Sequence, residues 1–198
     1  MKTYNLPNNS IVAVHDIFDT LPEFMHRADC IFTDLPYNQA MLSNYSNRDG
    51  VALSTDNDVN FDNFLARFFA CVLEIKPITL FVEIGAQHVG TVERFVEGNF
   101  KYCHTHNNYY LHSRKNKCYI VQASNRQLLD LGIDDIDEQK AIQLICTKQA
   151  YKCIGDLCMG RGLVGFYANK VGRPFVGTEL NENRLAVLLH RIKTGSLK

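Results

Sequence analysis

The chain lacks net charge: 21 Lys and Arg stand against 21 Asp and Glu. It therefore has no global basic excess, and any surface for nucleic acid must be gathered on one face. Its seven cysteines contain no CxxC pair, are odd in number, and mostly sit in apolar runs such as Phe69-Ala70-Cys71-Val72-Leu73. This excludes a disulfide framework or zinc finger as the organising element and reads as free thiols buried like small hydrophobes. No apolar run is long enough to cross a bilayer, and the opening Met1-Lys2-Thr3-Tyr4-Asn5 has no apolar signal region. No repeat, biased tract or linker divides the sequence. One domain spanning 1–198 is expected, in a reducing cytoplasm and away from membranes.

What is present is an alternation of strand-like and helix-like segments, which points to an α/β sandwich on a mostly parallel sheet. Strands are expected at Ser10 to His15, Asp29 to Thr33 and Ile78 to Ile84, and helices at Phe18 to His26, Asp62 to Glu74 and Val89 to Glu97. From Asn38 to Asn60 the composition turns polar and reads as a long loop, a class of segment that is usually functional. Phe100 to His112 and Cys118 to Ala123 read as an antiparallel hairpin with a basic turn, Ser113-Arg114-Lys115-Asn116-Lys117. An acidic stretch, Asp130 to Glu138, precedes a helix from Gln139. A βαβα unit then closes the chain, with strand Cys153 to Leu157, helix from Leu163, strand Phe175 to Glu179 and helix Glu182 to Ile192.

Two motifs carry chemistry. The first is Asp156-Leu157-Cys158-Met159-Gly160-Arg161-Gly162, between a strand and a helix. Glycines there let the backbone approach a ligand, and the helix start offers unpaired N–H groups. Glu179, at the tip of the next strand, is placed as a carboxylate that accepts both hydroxyls of a ribose. The second is Thr33-Asp34-Leu35-Pro36-Tyr37-Asn38 at a strand end. An exocyclic amine is a poor nucleophile because its lone pair is delocalised into the ring. A carboxylate and a backbone carbonyl that accept its two N–H bonds favour the nucleophilic form and stabilise charge as a methyl group arrives. Pro36 fixes the backbone that aims the Leu35 carbonyl, and Tyr37 offers a face for a flipped base. Each motif alone is also compatible with an ordinary strand-to-turn segment.

Together the motifs resemble those of the DNA amino-methyltransferases, with their Asp-Pro-Pro-Tyr tetrad and Asp-Pro-Phe-x-Gly-x-Gly cofactor loop. The resemblance covers most of the chain, and the tetrad precedes the cofactor loop, as in the permuted β class. It implies a Rossmann-like methyltransferase sandwich with a mostly parallel sheet and an antiparallel hairpin. The catalytic half would span about 10–123 and the cofactor half about 139–198. It also implies S-adenosyl-L-methionine as cofactor, held by Asp16, Asp156, Leu157, Cys158, Met159, Gly160, Gly162 and Glu179. Asp34, Leu35, Pro36 and Tyr37 would be the catalytic set, and a segment near Gln139 and Lys140 a further, poorly matching cofactor contact. Leu35 departs from the tetrad's first proline, but contributes a backbone carbonyl. Cys158 departs from the usual Phe, which puts cofactor affinity in question more than reaction class.

The resemblance implies site-specific methylation of adenine N6 in DNA, duplex or single-stranded, because Asp at the first tetrad position is commoner in the adenine branch. Cytosine N4, RNA, a protein amide and a non-catalytic cofactor-fold subunit are the alternatives. Direct transfer is expected, without a metal and without a covalent enzyme intermediate. Arg48, Arg114, Lys115 and Lys117 are the candidates for nucleic-acid contact. Only Ser124 to Glu138 is available for target recognition, so low specificity, a homodimer or a separate recognition partner is expected. So compact an enzyme would suit a phage, acting in the host cytoplasm.

Overall fold

Apolar residues fill both faces of the central strands, the pattern of a sheet covered on each side by helices. The computed structural model describes residues 1–48 and 60–197, and only the backbone of 44–48. Strands β1 (Lys2–Leu6), β2 (Ser10–Val14), β3 (Cys30–Asp34), β4 (Thr79–Ile84), β5 (Tyr102–Tyr109), β6 (Lys117–Ser124), β7 (Ile154–Asp156) and β8 (Phe175–Glu179) form one sheet in the order β1-β2-β8-β7-β3-β4-β6-β5. The run β2-β8-β7-β3-β4 is parallel, and β1, β6 and β5 add antiparallel edges. Every residue of β4 is buried, and in β3 only the terminal Asp34 is exposed.

Helices α2 (Phe61–Ile75) and α3 (Val89–Asn99) cover one face. The other face is covered by α4 (Glu138–Lys148), α5 (Leu163–Lys170) and α6 (Glu182–Thr194). The chain leaves β3 through α2 toward β4, and leaves β7 through α5 toward β8, in opposite directions across the sheet. Right-handed crossovers running in opposite directions must lie on opposite faces. The crevice between β7 and β3 is therefore the topological switch point, where open α/β sheets bind ligands.

Four local expectations are corrected. The polar stretch after Asn38 is not all loop. A helix, α1 (Gln39–Arg48), begins there, with the Asn38 side chain accepting the Met41 N–H (3.0 Å) and Leu42 buried in the core. One buried leucine and a cap outweigh a polar composition that favours coil. Residues 49–59, the rest of that expected loop, lie outside the described residues. The helix expected over Phe18 to His26 shrinks to a 3-10 turn, Glu23–Arg27, because Pro22 is extended (φ −63, ψ 135) and keeps Leu21 from the helical region. The first hairpin strand stops at Tyr109, since Leu111 and His112 both turn to φ +54. β1 was not expected; it pairs antiparallel with β2 and closes that edge.

The far edge is closed differently. The segment leading to α4 runs along β5, with Asp135 N–H donating to the Asn107 carbonyl (2.7 Å) and Tyr109 N–H to the Ile136 carbonyl (3.3 Å). Covering the strand in this way satisfies an edge that would otherwise template pairing with another chain.

Candidate active site

Four parallel strands deliver acidic residues to the same end of the sheet: Asp16 follows β2, Asp34 ends β3, Asp156 ends β7 and Glu179 ends β8. All four line a cavity of about 590 Å³, within the range of small-molecule and cofactor sites. The cavity wall also holds Leu35, Pro36 and Tyr37 from the β3 side and Leu157, Cys158, Met159, Gly160 and Gly162 from the β7 side. The catalytic and cofactor candidates of the sequence, remote along the chain, thus meet in one place.

The glycine loop is clamped from both neighbouring strands. Thr33 Oγ1 accepts the Leu157 N–H (3.3 Å), Thr178 Oγ1 donates to the Leu157 carbonyl (2.8 Å), and Met159 N–H donates to the Thr178 carbonyl (3.0 Å). Buried Asp156 accepts the Cys158 N–H (3.1 Å), and burial pushes its carboxyl well above the usual range. The two glycines do different work. Gly160 (φ +52) has open space where a side chain would project, whereas a Cβ on Gly162 (φ +69) would lie 2.7 Å from Leu188 Cβ of α6. Gly160 keeps the cavity wall low, and Gly162 lets α6 pack against the start of α5.

Glu179 Oε2 accepts the Gly160 N–H (2.7 Å) and its Oε1 accepts the Asn181 N–H (2.9 Å), which holds the carboxylate beside the loop. Asp16 accepts the Phe18 N–H (3.0 Å) at the turn after β2. Cys158 faces the cavity, but burial first, then the Asp156 and Glu179 carboxylates, push its thiol well up. A thiol held protonated is a poor nucleophile.

On the β3 side, Asp34 is exposed only in the sense that it faces the cavity; protein surrounds it on its other sides. Burial first and Glu138 second push its carboxyl up to about 7. Tyr37 is buried, donates its hydroxyl to Glu83 Oε1 (2.6 Å) and meets Tyr110 edge to face, with ring centroids 5.2 Å apart. The end of β4 presses on it: a Cβ at Gly85 would lie 2.8 Å from Tyr37 Cβ.

Sequence reasoning missed two acids here. Glu83, only 1% exposed, lines the cavity from β4, and its Oε2 has no hydrogen-bond partner among the described residues. Burial and the Asp34 carboxylate push it well above the ordinary value. A lone Glu inside Leu80-Phe81-Val82-Glu83-Ile84 was the available signal, since a charge in a fully apolar strand needs a reason. Glu138 also lines the cavity, its carboxyl pushed up to about 7 by burial and by Asp137. The α4 segment thus reaches the site through Glu138 and Ile142. Gln139 instead donates to the Tyr167 hydroxyl (3.0 Å), and Lys140 is exposed beside Gln143.

Three of the nucleic-acid candidates, Arg114, Lys115 and Lys117, do not line the cavity. Arg114, Lys115 and Lys117 are exposed at the β5–β6 turn, where Arg114 makes a bidentate pair with Asp135 (2.7 and 2.8 Å). The same turn carries Tyr110 and the exposed Leu111 to the cavity. Arg48 is in α1, and its side chain lies outside the described residues.

No protein-family model matches this sequence, and no curated protein matches it. Solved structures do resemble the fold. M1.HpyAVI superposes with a TM-score of 0.62 at 12% identity, over 91% of this chain and 97% of that one. TTHA0409 of Thermus thermophilus, assigned as a DNA modification methylase and solved with S-adenosyl-L-methionine, superposes with a TM-score of 0.64 at 14% identity, over 92% and 93%. The cytosine-N4-specific PvuII DNA methyltransferase gives 0.59 at 9% identity, over 96% of each chain.

The chain has the S-adenosylmethionine-dependent methyltransferase fold. More than nine-tenths of each chain takes part in the M1.HpyAVI and TTHA0409 superpositions. At these identities the likeness is one of fold.

Proposed function

We propose that this protein transfers a methyl group from S-adenosyl-L-methionine to an exocyclic base amine in DNA, with adenine N6 the favoured target. The observation that carries this reading is the meeting of Asp34-Leu35-Pro36-Tyr37 with the Gly160–Gly162 loop and Glu179 in one cavity at the switch point.

The residues fit the cofactor. Gly160 leaves the wall open, Glu179 would hold the ribose from the cavity lining, and the acid-rich lining favours a ligand that carries positive charge. Held by Gly160 and Glu179, S-adenosyl-L-methionine would supply an electrophilic methyl group, the amine lone pair forming the N–C bond while the C–S electrons would stay on sulfur. Asp34 and the Leu35 carbonyl accept the two amine hydrogens and localise the nitrogen lone pair. The nitrogen is cationic once methylated. Asp34, with a pKa of about 7, is matched to take up its proton and pass it to water. Tyr37 and Tyr110 offer aromatic surface for the base. Glu83 accepts the Tyr37 hydroxyl at Oε1 and so holds that ring in the cavity wall.

Lys115 and Lys117 at the hairpin tip are placed to grip phosphates, and target recognition beyond them falls to a partner or a second copy. Adenine is preferred because Asp34 opens the tetrad. Cytosine N4 is the second reading, favoured by the fold shared with PvuII. The test is incubation with radiolabelled S-adenosyl-L-methionine and unmethylated duplex DNA, followed by digestion to nucleosides. Labelled N6-methyladenine is expected. Labelled N4-methylcytosine selects the second reading, and unlabelled DNA with intact cofactor binding rejects both.

A further inference from the structure

We propose that His104, His106 and Asp134 form a binding site for a divalent transition metal of the zinc type. The site lies at the β5 edge, is separate from the methyl-transfer cavity, and does not depend on the reading above.

His104 and His106 stand two apart on β5, so both rings project from the same face of the sheet. The rings meet edge to face with centroids 4.6 Å apart. Asp134 arrives from the segment that runs along this edge. Its Oδ2 lies 4.0 Å from His104 Nε2 and 3.9 Å from His106 Nδ1, and the three atoms all fall within 4.8 Å of one another. Ligand atoms about 2.0–2.2 Å from one tetrahedral zinc are roughly 3.3 Å apart. His104 is about half exposed, so its ring can rotate toward the other two ligand atoms to close the distances.

The surroundings prepare each ligand atom. Gln122 Oε1 lies 2.9 Å from His106 Nε2, and the Gln122 amide is oriented by its own N–H donation to the Leu129 carbonyl (3.4 Å). Nε2 of His106 must therefore carry the proton, which leaves the lone pair on Nδ1. That Nδ1 belongs to a residue 7% exposed and has no hydrogen-bond partner among the described residues. An unpaired buried acceptor is costly, and a cation beside it removes the cost. Asp134 Oδ1 accepts the Asn107 N–H (2.8 Å), which fixes the carboxylate with Oδ2 toward the imidazoles. Outer partners of this kind orient metal ligands.

Two imidazoles and one carboxylate suit zinc, cobalt, nickel or ferrous iron. Calcium and magnesium require more oxygen ligands than this site offers. Three protein ligands leave one position for water. The metal would tie β5 to the segment ending at Asp137, the cap of α4, and so brace the helix that brings Glu138 to the cavity.

The test is calorimetric titration of zinc chloride into chelator-treated full-length protein. One equivalent is expected, with magnesium failing to compete. His104→Ala and Asp134→Asn should each weaken binding at least tenfold and abolish the zinc-induced rise in Tm. Both side chains are exposed, so the variants should fold. Cobalt loading should give visible d–d bands without thiolate charge-transfer absorption. Three results overturn the proposal: no saturable zinc binding, binding unchanged in both variants, or binding lost only in Cys103→Ser, the exposed thiol next in sequence to His104.

Discussion

The Tyr37 hydroxyl donates to Glu83 Oε1 at 2.6 Å, joining the loop after β3 to the interior of β4 and leaving Glu83 Oε2 as the unsatisfied atom of the pair. A protonated carboxyl and a carboxamide both present one acceptor and one donor. Glu83→Gln is therefore expected to keep turnover within a few-fold, while Glu83→Ala releases the Tyr37 ring and loses up to about 10²-fold. The same pair predicts a stability effect. Because the Glu83 pKa in the folded state lies well above the ordinary 4.5, its contribution is full below that value and is lost as pH rises toward the folded value. Glu83→Gln should flatten the fall in Tm above about pH 4.5, and a pH series of thermal melts checks this.

Asp34 must be ionised to accept an amine hydrogen. With its carboxyl pushed up to about 7 by burial and Glu138, single-turnover rates at saturating DNA should rise through that pH and level above it. Asp34→Ala should cost at least about 10²–10³ in rate and leave S-adenosyl-L-methionine affinity nearly unchanged. An active Asp34→Ala enzyme would sink the assignment.

Gly85→Ala tests positioning alone. The new Cβ would lie 2.8 Å from Tyr37 Cβ, near the backbone, where no flexible side-chain end can yield. A displacement of Tyr37 of under an ångström is expected to lower kcat by up to about 10²-fold, with cofactor binding by calorimetry unaffected.

The two loop glycines should separate cleanly. Gly162→Ala combines φ +69 with a 2.7 Å contact to Leu188 and is expected to destabilise the fold by about 1–3 kcal/mol, read as a lower Tm. Gly160→Ala, at φ +52 with open space ahead, should cost mainly cofactor affinity because its Cβ enters the cavity. Equal loss of Tm in both variants would contradict this division.

Much of this protein was legible from local chemistry. The strand at 175–179, the helix after the glycine loop and the hairpin with its basic turn all follow from period, glycine and turn residues within a few positions of one another. So do Asp34 and Glu179 as strand-end residues, and Gly160 as a glycine of the loop between strand and helix. Where local signals competed with burial, the sequence misled. Asn38 and Leu42 make a helix of a polar stretch, and Pro22 shortens an apolar one to a single turn.

Tertiary structure alone decided which distant groups meet. That β7 lies between β3 and β8, bringing Asp156 to Asp34, depends on the order of strand pairing, which no local pattern encodes. Glu83 and Glu138 become part of the cavity only because β4 pairs with β3 and α4 packs beside α5 over the crevice, and burial there shifts their protonation. His106 and Asp134 come together only because a connecting segment folds back along an open sheet edge. Propensity and turn chemistry act over a few residues and are written in sequence. Desolvation and the proximity of charges depend on long-range packing, and exist only once the chain has folded.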